Sequence, residues 1–163
     1  MKLRILIFIF FLFTFKQTLA IEFEELKTNK GITFWFIKDT SLPLVSLSFS
    51  FRGGSFLDPK NKMGATNLMT SLLDEGTENF KANDFKLSLR ENGVKISFSA
   101  EKNKIDGTFQ VVSSQVQEGF WLLSEAINKP LFKPEEIEKI KKQIIASIKI
   151  DQSDIQTQAS EKF

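Results

Sequence analysis

Residues 94–111 read VKISFSAEKNKIDGTFQV, and this stretch decides the fold class. Apolar and polar side chains alternate on both sides of a short polar run at residues 101–104. A repeat of two is typical of a β-strand that buries one face and exposes the other. The stretch therefore predicts two antiparallel strands joined by a hairpin turn from Glu101 to Lys104.

Two more strands are predicted upstream of this hairpin. Residues 44–51, LVSLSFSF, place serines on one side and apolar residues on the other. Residues 31–38, GITFWFIK, are β-branched and aromatic, which favours a strand. Trp35 in this segment, and Trp121 farther along, are interpreted as core or interface residues.

The segments between and after these strands have helical spacing. Apolar residues from Ala65 to Leu73 predict a helix over residues 63–75 that ends at Gly76. A shorter helix is predicted over residues 83–91, with Asn83 as its N-cap and Gly93 just past its end.

Two helices are predicted after the hairpin. The first begins near Ser113 or Ser114 and stops before Pro130, with an apolar stripe at Val116, Phe120, Leu123 and Ile127. The second begins at Pro134, a favoured first helical residue, and weakens beyond Asp151. Its apolar face comprises Ile137, Ile140, Ile144 and Ile148.

The order β-β-α-α-β-β-α-α predicts an α+β domain. A mostly antiparallel sheet with the helices on one face would bury every apolar stripe.

The first twenty residues differ in character from the rest of the chain. Lys2 and Arg4 precede an apolar run that begins at Ile5, and small residues precede position 21. This layout predicts a signal peptide over residues 1–20, cleaved after Ala20, and hence a periplasmic or secreted protein. An uncleaved anchor is the alternative, but the apolar run is about half of the roughly 20 residues that a membrane span needs. The mature domain is then residues 21–163, with no stable membrane span.

Charge and composition exclude some classes of function. Removal of the signal changes the net charge from +2 to −1, which gives no electrostatic basis for nucleic-acid binding. The chain contains no histidine and no cysteine. These two residue types supply most zinc ligands in proteins, so a zinc site built by this chain is not expected.

Three segments together carry a resemblance to a known family. They are residues 64–77, GATNLMTSLLDEGT; residues 51–58, FRGGSFLD; and residues 130–136, PLFKPEE. Their order and spacing resemble those of the insulinase/pitrilysin family of zinc metallopeptidases, over roughly residues 22–160. The resemblance implies the α+β lobe of that family.

In the family, an inverted zinc motif, His-x-x-Glu-His, lies on the helix that corresponds to residues 63–75. The resemblance places the two histidines on Asn67 and Ser71 and the catalytic glutamate on Thr70. A further glutamate ligand falls on Ala146 or Ser147. Because none of these side chains has the charge or basicity that zinc requires, we expect no zinc cofactor and no peptidase activity from this chain.

Other polar groups allow alternative interpretations. Ser71 or Thr70 could act as a nucleophile only with a lysine or carboxylate base, and local spacing provides none. Asp74, Glu75 and Glu78 are either a hard-cation site or a solvated helix end. Lys139, Lys141 and Lys142 are interpreted as the solvated face of the fourth helix.

The resemblance implies a function as a non-catalytic subunit. Several family members pair a zinc-bearing chain with a similar chain that lacks the ligands, so we predict a zinc-bearing partner subunit and a role in peptide processing. The strand at residues 94–100 is predicted to bind peptide or unfolded polypeptide by strand addition at Ser97, Ser99 and Ala100, or to be an ordinary hairpin strand. The alternatives are a stand-alone binding or scaffold module and a truncated fragment, since the lobe is expected to be incomplete at its C-terminal end.

Overall fold

The computed structural model describes residues 23–153, without the side chains of residues 151 and 153. It divides into two units, one up to Leu42 and one from Pro43 onward. The predicted signal peptide at residues 1–20 lies outside the described residues. Among the helices of residues 23–153, none combines the length and apolarity of a membrane span.

The first unit contains an antiparallel hairpin of two short strands, β1 (Glu24–Lys27) and β2 (Thr33–Phe36). The strand predicted at residues 31–38 is thus confirmed in its centre, whereas β1 was not predicted. Glu24, Glu25 and Lys27 contribute three charges to four residues, so β1 lacks the apolar alternation that predicts a strand. Trp35 is 73% exposed and stacks edge-on against Phe23, so it is not a core residue, and its assignment to an interface stays a prediction.

The second unit contains a three-stranded antiparallel sheet in the order β3-β5-β4. Its strands are β3 (Leu44–Arg52), β4 (Val94–Ala100) and β5 (Lys104–Val112), and β4 and β5 form the predicted hairpin. The alternation correctly predicts which side chains lie on the buried face of the sheet and which lie on the exposed face. Phe109 and Val111 are buried on one face, while the serines of β3 and β4 are exposed on the other.

Four helices accompany this sheet: α1 (Ala65–Thr70), α2 (Ala82–Glu91), α3 (Val116–Asn128) and α4 (Pro134–Ser153). The core lies between the apolar sheet face and helices α2 and α3, which contribute Phe85, Leu89, Leu122, Leu123 and Ala126. The α+β class and the antiparallel sheet are as predicted.

Several helix details differ from the predictions. Helix α2 begins at Ala82, so Asn83 lies inside it and Lys81 takes the N-cap position without a side-chain hydrogen bond. Helix α3 follows a 3-10 turn at Ser113–Gln115 and buries Gly119, Leu122, Leu123 and Ala126. The buried face of α3 is therefore rotated from the predicted stripe, because Gly119 lies against Val111 and Phe109. Phe120 and Trp121 are both 42% exposed, so Trp121 is not a core residue.

Helix α1 is shorter than the predicted helix over residues 63–75. After Thr70, the backbone N–H groups of Leu72, Leu73 and Glu75 donate to carbonyls three residues earlier, in tight turns. Gly76 ends the segment with φ 114, and a Cβ there would lie 3.1 Å from the Phe80 carbonyl oxygen. The residues corresponding to the end of the predicted helix are therefore wound into turns.

Candidate functional site: the helix at residues 65–70 and its surroundings

The start of α1 is fixed by a carboxylate from an earlier loop. Asp58 accepts hydrogen bonds from the backbone N–H of Gly64 at 2.8 Å and of Thr66 at 3.0 Å. The Thr66 hydroxyl also donates to Asp58, and this bond is the largest cause of the lowered pKa of Asp58. Asp58 thus satisfies N–H groups that the helix itself leaves unpaired.

Of the three positions that the resemblance assigns to the zinc motif, Asn67 and Thr70 lie in α1 and Ser71 is its C-cap residue. Asn67 is exposed, Thr70 is buried and Ser71 is half-buried. The hydroxyls of Thr70 and Ser71 each donate a 2.9 Å hydrogen bond to the backbone carbonyl of Asn67. Both hydroxyl protons are therefore held by the peptide backbone rather than by a general base. This geometry gives no support to a serine or threonine nucleophile.

The distal position of the motif lies on α4. This helix contacts α1, as the predicted site requires. Ala146 and Ser147 are both exposed, and neither side chain is a zinc ligand of useful strength. Within residues 23–153, no group of three or more histidine, cysteine, aspartate or glutamate side chains could hold a metal ion. The residues present at the motif positions do not fit a zinc ion.

A buried carboxylate lies just after the motif, at Glu75. Its side chain accepts hydrogen bonds from Lys86 on α2 and, at 2.7 Å, from Lys139 on α4. Burial alone would raise the pKa of Glu75, but hydrogen bonds from Lys139 and Lys86 outweigh it and hold the pKa below its ordinary value. The interpretation of Glu75 as part of a solvated helix end was therefore wrong. Lys139 is exposed, as expected for the solvated face of the helix, but it also pairs with Glu75.

The neighbouring Asp74 behaves differently. Its half-buried carboxyl has a raised pKa, and burial is the largest cause. A sequence signal for the burial of both carboxylates exists in the run Leu72-Leu73-Asp74-Glu75-Gly76-Thr77. Acidic residues between two leucines and a Gly-Thr turn are well placed to be drawn into a core.

A second buried carboxylate, Glu125 on α3, holds the turn that follows Gly76. It accepts hydrogen bonds from Asn79 at 2.8 Å and from the Thr77 hydroxyl at 3.4 Å, and it pairs with Lys129 at 3.0 Å. The hydrogen bond from Lys129 is the main cause of the lowered pKa of Glu125. Sequence reasoning missed this residue, because it lies among the apolar residues of α3.

A cleft of about 340 Å³ opens beside Glu75. Its lining comes from two segments of the chain: Glu75, Gly76 and residues 80–84 in the first, and Leu131, Lys133, Glu135 and Glu136 in the second. Carboxylates and lysines are mixed along its walls. Because Asn67, Thr70, Ser71 and Ser147 do not line it, the cleft is separate from the motif positions.

The predicted peptide-binding strand is β4. Within the described part of the second unit, β4 is an outer strand of the sheet, since β5 is its one strand neighbour. Ser97 and Ser99 are exposed, and Ala100 is half-buried. They lie in register with Thr108, Asp106 and Ile105 of β5, and α1 contacts β4. Among the described residues no second strand pairs with β4, and its short side chains suit strand addition.

Comparison with known proteins identifies the family of the chain. The family model for insulinase, peptidase family M16, matches residues 34–162. The chain belongs to the insulinase family, M16. As a member that has asparagine, threonine and serine at the motif positions, and no histidine anywhere, it is a non-catalytic homologue by its own residues.

Two similar proteins carry names that fit this description. The chain is 25% identical over 138 residues to a non-peptidase homologue, YmxG, from Helicobacter pylori, covering 85% of this chain and 32% of the relative. It also resembles the crystal structure of a peptidase M16 inactive domain from Pseudomonas fluorescens, with a TM-score of 0.75 and 21% identity. That match covers 85% of this chain and 34% of the solved chain. The chain thus spans about a third of the length of these two proteins.

Proposed function

We propose that this chain is an exported, non-catalytic insulinase-family subunit that binds peptide for a zinc-bearing partner. One observation carries the proposal: the α1 scaffold is retained while every ligand position on it is neutral. Asp58 still caps the helix, and α4 still packs beside it. Retention of the fold without the metal chemistry is what a substrate-holding subunit would need.

The partner is tested by reconstitution. Hydrolysis of an unstructured fluorogenic peptide is measured for the zinc-bearing M16 homologue alone, for this chain alone, and for the mixture. An inert protein at the same concentration replaces this chain in the control. We expect no cleavage by this chain and faster cleavage by the mixture than by the control. Equal rates in mixture and control would refute the subunit role and favour a stand-alone binding module.

The binding strand is tested with modified peptides. A peptide added to the edge of β4 directs alternate backbone N–H groups toward the sheet. We compare two versions of one peptide, N-methylated at alternate residues in opposite registers. Strand addition predicts that one version loses affinity while the other keeps it. Equal affinity of both versions would exclude the edge of β4 as the binding site.

Export is tested on the expressed full-length chain. N-terminal sequencing of the protein recovered outside the cytoplasm should begin at Ile21, since cleavage is expected after Ala20. Recovery of a chain in the cytoplasm that retains residues 1–20 would contradict the periplasmic or secreted location.

A further inference from the structure

Helix α4 is attached to the rest of its unit by few buried side chains. Among its described side chains, Ile140 alone is buried, and Ile137 and Ile144 are half-buried. Ile145 and Ile148 are 45% and 49% exposed. A 20-residue helix with so little buried apolar surface needs another source of stability.

An ion pair with the Glu75 carboxylate provides such a source of stability for α4. Lys139, which pairs with it, is adjacent to Ile140, so the ion pair and the buried apolar contact lie on the same turn of α4. The other oxygen of Glu75 pairs with Lys86 of α2. One buried carboxylate therefore joins three elements: the turn after α1, helix α2 and helix α4.

We propose that Glu75 is a salt-sensitive latch that holds α4 against the turn after α1. The hydroxyls of Thr70 and Ser71, by contrast, donate to the Asn67 carbonyl rather than to a group on α4. The ion pair thus links the turn after α1 to α4 without a metal ion. The proposal is independent of the proposed peptide binding.

The charges around the latch make it responsive to salt. Glu136 of α4 also accepts a hydrogen bond from Lys139 at 2.6 Å, and half-buried Asp74 lies next to Glu75 in the chain. Lys81, Asp84, Lys133 and Glu135 line the adjoining cleft. Side chains of Lys86 and Lys139 are 38% and 45% exposed, so dissolved ions reach them and weaken their attraction to Glu75.

Release of α4 would also open the cleft. Glu135 and Glu136, in the first turn of α4, form part of its wall. The latch therefore sets the width of the cleft as well as the position of the helix.

The test is hydrogen exchange of the backbone amides in the whole chain. In K139M, we expect amides 139–148 to exchange about tenfold faster, because a charge-assisted hydrogen bond to a buried group is lost. Amides of β4 and β5 should keep the wild-type rate. The matched control is K141M, since Lys141 pairs only with Glu138 of the same helix at 3.6 Å. K139R, which keeps the charge, should restore most of the protection.

A salt titration distinguishes an ion pair that holds α4 in place from apolar packing alone. Between about 0.01 M and 1 M salt the Debye length falls from about 30 Å to about 3 Å. Exchange in α4 should accelerate with salt in the wild type and lose most of that dependence in E75Q. Unchanged exchange in K139M, the same acceleration in K141M, or uniform acceleration that includes β5 would overturn the proposal.

Discussion

At the scale of single residues, Gly107 in β5 shows how closely the sheet fits its aromatic side chains. The Phe49 ring lies across Gly107, and a Cβ added there would approach ring atoms to 2.3 Å. Phe49 also stacks edge-on with Phe98 and Phe51. The glycine of β5 therefore makes room for rings of β3 and β4 to stack with each other.

Substitution of Gly107 tests this packing. We expect G107A to lower the free energy of unfolding by about 1–3 kcal/mol, because the added methyl group displaces Phe49. T108A is the control, since Thr108 is exposed on the opposite face of the sheet. Urea denaturation followed by tryptophan fluorescence or circular dichroism gives both values. If G107A lowers the free energy of unfolding no more than T108A does, the phenylalanine rings accommodate the added methyl group without a measurable cost in stability.

The buried carboxylates predict how stability depends on pH. The pKa of Glu125 is lower in the folded state than its ordinary value of 4.5, mainly because Lys129 donates to it. The folded state then binds fewer protons than the unfolded state. The contribution of Glu125 to stability is present above about pH 4.5 and is lost as the pH falls through the folded pKa.

This dependence is measured as the urea midpoint from about pH 6 down to about pH 3. The wild type should lose stability more steeply than E125Q across this range. Asp74, whose raised pKa acts in the opposite direction, is present in both proteins and cancels in the comparison. Parallel profiles for the two proteins would show that Glu125 is not the responsible group.

At the scale of elements, helix α1 depends on a cap from outside the helix. Its own N-cap residue, Gly64, has no side chain to offer, and Asp58 performs this role from six residues away. The helix is also short, with six residues, so the loss of its first hydrogen bonds affects much of it.

Removal of the cap should therefore destabilise the protein. We expect D58A to lower the free energy of unfolding by about 1 kcal/mol. D58N retains an oxygen acceptor and should lose less. Denaturant titrations of the three proteins provide the measurement. Equal losses in D58A and D58N would indicate that the negative charge, rather than the capping hydrogen bonds, is what matters.

In the second unit, sequence patterns predict the presence of helices and strands better than they predict where each helix or strand ends. Strict alternation at residues 44–51 and 94–111 correctly predicts β3, β4 and β5, because a sheet with one buried face requires it. The end of α1 was not predictable in this way. It depends on hydroxyl bonds to the Asn67 carbonyl and on the close approach of Gly76 to Phe80.

At the scale of the whole molecule, the candidate site combines residues far apart in the chain. Glu75 and Lys139 are 64 positions apart, and Thr77 and Glu125 are 48 apart. No local spacing rule joins such pairs, so the sequence predicted the neutral motif positions but not the ion pairs beside them. Lys139 was accordingly interpreted as solvated, whereas it joins two elements.

Both the sequence and the fold relate the chain to its family. The M16 family model matches most of the chain, and the fold matches that of a solved M16 inactive domain. The α1 scaffold persists although Asn67, Thr70 and Ser71 provide no zinc ligand. Its hydrogen bonds now stabilise the helix and its surroundings.

The most direct test of the central claim is peptide hydrolysis by the purified mature chain. An unstructured fluorogenic peptide is incubated with the chain alone, with added zinc, and with zinc followed by a chelator. We expect no hydrolysis above background in any of the three, because the chain has no histidine or cysteine and the positions assigned to the zinc motif carry neutral side chains. Zinc-dependent, chelator-sensitive hydrolysis that disappears in T70V would contradict it.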